Sequence, residues 1–213
     1  MAGGGGLPDT CHGSEIWCMV QIWRSILRIM DTERIKRLVR EMIIEIGEDP
    51  TREGLRDTPR RIADMYGEIF SGYDSSSELE VQFCEDTDVV VVRDIQFYSM
   101  CEHHMMPFFG KIHIAYSPNG RVFGVSKLVR VVEKYSKRLQ IQERITKNVA
   151  DEMYSQGVRG VAVIVDAEHL CMKMRGVRNH AEMTSAAYRG IFDSKEEKVN
   201  ILAMVRRRAP DPL

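Results

Sequence analysis

The chain has 213 residues, 44% of them apolar and 29% charged, with a net charge of −1. That length buries a substantial core, and the balanced charge gives no support to a nucleic-acid reader, which carries a basic excess. No apolar run reaches the roughly 18 residues a membrane span needs, and the glycine-rich start lacks the basic residues of a secretory signal, so the expected location is the cytoplasm.

Residues 1–15 read as a flexible start. Ile16, Val20, Trp23, Ile26, Leu27 and Met30 fall at helical spacing and predict an extra helix, so residues 1–30 are set apart as an extension. Asp31 caps a helix with apolar positions Ile35, Leu38, Val39, Met42, Ile43 and Ile46, and Gly47 stops it. Thr58-Pro59 starts a second helix, with Ile62, Met65, Tyr66, Ile69 and Phe70 as its buried stripe and Gly72 as its end. Residues 73–88 are polar and read as a loop.

From residue 89 the periodicity changes. Val89–Val92 and Ile95–Phe97 read as strand, Cys101-Glu102-His103-His104 as a turn, and Lys111–Tyr116 alternates as a further strand. Ser126 is placed to cap a helix through Arg138, and a second helix spans about 140–154 with Ile141, Ile145, Val149 and Met153 in line. The β-branched run Val161–Val165 leads into His169 and Cys171. Ser194 and Glu197 form a capping box for a last helix through about Arg208. The order predicts an α+β fold: an N-terminal helical region over 31–85, then a catalytic domain over 86–213 whose helices cover one face of a mostly antiparallel sheet.

Five cysteines in no regular framework argue for free thiols in a reducing compartment. Cys101 and His104 are three apart, and Cys171 arrives from a separate strand. Two thiols and an imidazole hold a zinc ion through three protein ligands, and the vacant fourth position marks a catalytic rather than a structural site. His103 and His169 lie beside these ligands and are candidate proton-transfer groups, which points to hydrolysis. Glu102 reads as a ligand, a support for a ligand or half of an ion pair. His113, within an alternating strand, reads as a core or interface histidine; His12 and His180 read as loop residues.

Four segments carry a resemblance: 52–73 (REGLRDTPRRIADMYGEIFSGY), 99–116 (SMCEHHMMPFFGKIHIAY), 122–146 (VFGVSKLVRVVEKYSKRLQIQERIT) and 160–178 (GVAVIVDAEHLCMKMRGVR). In this order they resemble the GTP cyclohydrolase I family over about residues 31–205. The resemblance implies conversion of GTP and water to 7,8-dihydroneopterin triphosphate and formate, the opening step of pteridine synthesis toward folate or tetrahydrobiopterin. It implies one zinc per subunit on Cys101, His104 and Cys171, with His103 protonating N7 of the purine and His169 shuttling protons in later steps. Glu143 resembles the carboxylate that reads guanine N–H groups, and Gln142 a neighbouring contact to base or ribose. Ser126, Lys127, Arg130 and Arg175 resemble the sugar and triphosphate pocket, and Arg61 an arginine supplied by an adjacent subunit.

The implied fold is the tunnelling fold, a four-stranded antiparallel sheet with two helices on one face. Subunits join sheet edges into rings, and two pentamers make a decamer. Three stretches depart from the family pattern: Met105-Met106, the segment 178–190 and the tail RRRAPDPL. A catalytically silent, ring-forming paralogue that binds a purine or pterin is the rival reading. A related enzyme acting on a pterin or deazapurine is a third. The intact histidines and ligands favour the GTP enzyme over both.

Overall fold

The computed structural model describes residues 30–74, 79, 83–85 and 87–206. The expected helix over 16–30 and the tail beyond Arg206 lie outside the described residues, apart from Met30. The chain divides into two compact units between Asp64 and Met65.

In the first unit, α1 (Thr32–Glu45) starts where the Asp31 side chain accepts the Arg34 N–H at 2.9 Å. Gly47, at φ 94°, ends it as only a residue without Cβ does cheaply. Val39 and Ile43 are buried, but Leu38, Met42 and Ile46 stay more than half exposed. The apolar face is therefore wider than what covers it. The second helix, α2 (Thr58–Ile69), crosses the unit boundary. Thr58 is already helical; the Asp57 carbonyl accepts the Arg61 N–H, so Asp57 holds the cap position expected for Thr58. Ala63 is buried on this helix, whereas Met65, expected in the stripe, is exposed.

The second unit is built on a sheet. In chain order its strands are β1 (Phe83–Cys84), β2 (Val90–Cys101), β3 (Pro107–Ser117), β4 (Arg121–Val122), β5 (Leu139–Gln140), β6 (Gly160–His169) and β7 (Met183–Gly190). The main sheet runs β5-β2-β3-β6-β7 and has five strands instead of four. Four pair antiparallel; the additional one, β5, pairs parallel with β2 at Met100 and Cys101 only. β1 and β4 form a separate two-stranded ribbon, so the expected loop over 73–88 contains a short strand.

β2 is continuous where the sequence shows two apolar pieces. A bulge between Val92 and Ile95 joins them, with Asp94 at φ 61°. The extra residue keeps the apolar side chains on either side of the polar Arg93-Asp94 pair facing the same core. β7 occupies the divergent segment 178–190, whose small and polar residues hide its strand character.

Helices α3 (Val125–Ser136) and α4 (Gln142–Tyr154) cover one sheet face. Phe108, Ile112, Ile114, Val161, Val163 and Val165 meet Leu128, Val132, Ile145, Val149 and Met153 there, all essentially fully buried. Each such side chain contributes about 1.5–3 kcal/mol of burial. Gly124, not Ser126, stands at the N-cap of α3, and α4 begins at Gln142 because 139–140 pair as strand. The short α5 (Leu170–Lys173) follows β6 directly. The last helix, α6 (Lys195–Arg206), places Ile201 and Val205 on Ala115, Ala162 and Ile164 of the opposite sheet face. Helices thus cover parts of both faces, not one, which is why β6 reads as an unbroken apolar run. The Ser194 hydroxyl accepts the Glu197 N–H at 3.2 Å, as the capping box predicts.

Candidate metal centre and its surroundings

The loop between β2 and β3 is a closed turn. The Cys101 carbonyl accepts the Met105 N–H at 2.8 Å, and the Cys101 N–H donates to the Met106 carbonyl at 2.9 Å. Met105 takes the left-handed conformation, φ 51°, that reverses the chain. This turn holds Cys101 buried at a strand end and pushes His103 and His104 into the open. The Glu102 N–H donates to the Gln140 carbonyl at 3.1 Å, tying the turn to β5.

The other contribution comes from the end of β6. His169 is its last residue, and Cys171 lies in α5, one helical turn rather than a strand. Cys101 Sγ, one ring nitrogen of His104 and Cys171 Sγ all lie within 4.8 Å of one another. Bonds of about 2.0–2.3 Å to a tetrahedral zinc place ligand atoms roughly 3.5–4 Å apart, so this donor set fits the ion with a small closing movement. The Nδ1 atoms of His103 and His104 are each 3.9 Å from Cys101 Sγ. Proximity to Cys171 separates them, since His104 alone completes the three-residue cluster. Burial pushes the Cys171 thiol up, and the adjacent Cys101 sulfur adds to the effect; the positive charge of Arg175 opposes it.

Glu102 belongs to an ion pair. Arg144, in the first turns of α4, donates to its two carboxylate oxygens at 2.5 and 3.2 Å and to Gln140 Oε1 at 3.2 Å. The hydrogen bond from Arg144 holds the Glu102 carboxyl below the usual carboxylate range. Such a fork fixes direction as well as distance.

His169 is half-buried. Its ring stacks on Phe108, its register partner across β3 and β6, with centroids 4.7 Å apart and planes 4° from parallel. Its Nε2 lies 2.9 Å from Gln142 Oε1. Burial lowers the His169 pKa, and the negative charge of Glu143 acts against that. Glu143 is exposed in the first turn of α4; Gln142 beside it is fully buried.

The remaining candidates are spread more widely. Ser126 and Lys127 lie in the first turn of α3, with Arg130 a turn further on, and Ser126 and Arg130 are exposed. Arg175 follows α5 and is also exposed. Arg61 belongs to the other compact unit and lies 3.7 Å from Asp57. His113 is nearly buried on β3; its Nδ1 accepts the Asp94 N–H at 3.1 Å, and its Nε2 lies 3.5 Å from Asp166. That is the core role expected of it. Phe108 and the choice of Arg144 as the partner of Glu102 carry no signal in the sequence, because each depends on which strand or helix becomes a neighbour.

The sequence profile described as GTP cyclohydrolase I matches residues 35–206. A Hyperthermus butylicus protein called GTP cyclohydrolase 1 is 54% identical over 178 residues, covering 81% of this chain and 92% of the relative. Its namesake from Clostridium kluyveri is 53% identical over 173 residues, covering 79% and 94%. A third, from Carboxydothermus hydrogenoformans, is 48% identical over 189 residues, covering 85% and 98%. The turn with its paired histidines, the β6 end with its thiol and the start of α4 all fall inside the matched span, and with identities near one half over nearly the full length of these relatives, the chain belongs to the GTP cyclohydrolase I family.

Proposed function

We propose that the protein is a zinc-dependent GTP cyclohydrolase I, converting GTP and water to 7,8-dihydroneopterin triphosphate and formate. One observation carries the reading: Cys101, His104 and Cys171, from two distant stretches, converge within 4.8 Å inside the family-matched region. Two thiolates with one imidazole favour zinc among the divalent ions. Cys101, His104 and Cys171 would hold the ion, which would supply Lewis-acid activation of water at neutral pH.

The protein's own groups do the rest. Glu143, exposed at the head of α4, accepts hydrogen bonds from the guanine N–H groups. Adenine lacks that donor pair and leaves the carboxylate unsatisfied, a costly mismatch. Lys127, Arg130 and Arg175 take the triphosphate, as an ammonium and guanidinium forks suit phosphate oxygens, and Ser126 adjoins the sugar; Gln142, placed beside base or ribose by the family resemblance, is buried behind His169. His103 donates a proton to N7 as the purine ring opens. His169 moves protons during formate release and the later rearrangement of the ribose. Residues 31–85 are assigned to an N-terminal region and 86–213 to the catalytic domain, for which the tunnelling fold is expected; the short strand β1, within the first range, pairs with β4 of the second.

The subunits assemble as a decamer of two pentamers, with Arg61 reaching a neighbour's site. Two observations support association. Leu38, Met42 and Ile46 present apolar side chains to solvent, and β2 is paired on its outer edge only at Met100 and Cys101. Open edges and apolar faces of this kind call for partners. Thiol ligands need a reducing compartment, which supports the cytoplasm.

The test is direct. Zinc-loaded protein is incubated with GTP, the mixture is oxidised, and neopterin fluorescence and formate are measured in equal amounts. Absence of both from a zinc-bound, ring-forming protein would establish the silent-paralogue reading instead.

A further inference from the structure

We propose that Gln142 is a positioning residue that locks His169 in the tautomer protonated at Nε2, leaving Nδ1 as the one ring nitrogen free to accept a proton. The proposal rests on the reading of His169 as the proton carrier and assigns the mechanism that prepares it.

The argument is a count of donors. Gln142 is fully buried. Its Nε2 donates to the Val165 carbonyl of β6 at 2.9 Å and to the Met183 carbonyl of β7 at 2.9 Å. A primary amide has two N–H bonds, and both are used. The atom left to face His169 is Oε1, which only accepts. Turning the amide over would set its oxygen against two carbonyl oxygens and forfeit both of its N–H bonds, leaving a buried acceptor facing acceptors. The hydrogen between Gln142 and His169 therefore belongs to His169 Nε2. A neutral imidazole carries one N–H, so Nδ1 bears the lone pair.

The ring has little freedom to escape this choice. Phe108 fixes its plane by parallel stacking at 4.7 Å, and Gln142 fixes its rotation within that plane. A carboxylate behind a catalytic histidine performs the same task in the hydrolase triad. Here a neutral amide selects the tautomer without adding charge. A proton arriving in the site joins the Nδ1 lone pair, and the same nitrogen returns it; the Nε2–H bond to Gln142 persists throughout. Because both amide donors are tied to the sheet, Gln142 acts on the reaction through His169 rather than by donating to GTP.

The experiment uses full-length, zinc-loaded enzyme labelled with [15N]histidine and magic-angle-spinning NMR, with the His169 signals identified by their loss in His169→Ala. Wild-type enzyme should show His169 protonated at Nε2 and bare at Nδ1. Gln142→Met should admit the other tautomer and lower kcat about tenfold or more while moving the KM for GTP less than about twofold. Gln142→Glu, which keeps an acceptor facing Nε2–H and as the neutral acid still donates to one carbonyl, should retain the wild-type tautomer and recover part of that loss. A wild-type spectrum with the proton on Nδ1 overturns the proposal whatever the variants do. So does Gln142→Met with kcat intact and KM raised, which is the signature of a direct substrate contact. If His169→Ala turns over at the wild-type rate while the Nε2 tautomer is observed, the proton-carrier role fails and the lock itself stands.

Discussion

Zinc binding should release two thiol protons per subunit, and this gives the affinity a steep dependence on pH. A free thiol is protonated at neutral pH, with a pKa of about 8.5. Cys171 is held further toward its protonated form by burial and by the neighbouring sulfur. The metal takes thiolate, so every ion bound between pH 7 and 8 must displace a proton from each cysteine. The apparent affinity then rises about 100-fold per pH unit, or roughly 2.7 kcal/mol, since each proton contributes 1.36 kcal/mol per unit. Proton and metal compete for the same sulfurs, so binding weakens as pH falls, and the raised pKa of Cys171 favours the proton further. Competition against a chelator of known pH dependence measures the slope, and calorimetry in buffers of different ionisation enthalpy counts the protons. Cys171→Ala should reduce the slope from about two to about one and abolish activity along with tight binding. A wild-type slope of one or less, or an unchanged slope in Cys171→Ala, would show that the two sulfurs do not share an ion.

Three further outcomes are expected. His103→Ala should keep its full zinc content, read by metal analysis, while kcat falls about 10²–10⁴-fold, the usual contribution of a positioned acid; full activity would remove the proton-donor role. Gly110→Ala should be destabilised by about 1–3 kcal/mol or more, because its Cβ would lie 1.9 Å from the Asp166 carbonyl oxygen and 2.7 Å from the Ala167 Cα, backbone atoms that cannot swing away. A urea midpoint equal to wild type at matched protein concentration would contradict that. Arg144→Lys should lose the fork on Glu102, leave the melting temperature nearly unmoved because the pair is exposed, and accelerate zinc loss to a chelator; an unaltered rate would mean that the pair does not steady the metal-binding turn.

What the sequence makes legible is local. The Asp31 cap, the Gly47 stop, the Ser194 cap and the stripe Ile145, Val149 and Met153 follow from short-range rules, and each is present in the structure. What it conceals depends on tertiary neighbours. The break at Arg93-Asp94 looks like the end of a strand, but a bulge carries β2 through it. β7 is unrecognisable because Ser185, Ala186 and Ala187 have no strand signature of their own; pairing with β6 imposes the conformation. The last helix is legible from its cap, but its seat on the opposite sheet face is not, since nothing local ties Ile201 and Val205 to Ala115 and Ala162. At the site, Cys101, His104 and Cys171 stand out as candidates by residue type, whereas the contacts that orient His169, to Gln142 and Phe108, depend on which elements become neighbours.

The pairing of Phe108 with His169 and of Gly110 with Ala167 has a consequence for which changes this chain can absorb. A strand presents alternate residues to opposite sides, so adding or removing one residue within 107–117 or 160–169 would transpose every side chain beyond that point to the wrong surface. Amino-acid replacements along these two strands are graded in effect. Length changes there are not: they would leave a well-paired sheet whose His169 looks away from Cys101 and Cys171. Insertions and deletions in descendants of this gene should therefore accumulate at the far end of the ladder, in the 118–120 turn, and spare the strand interiors.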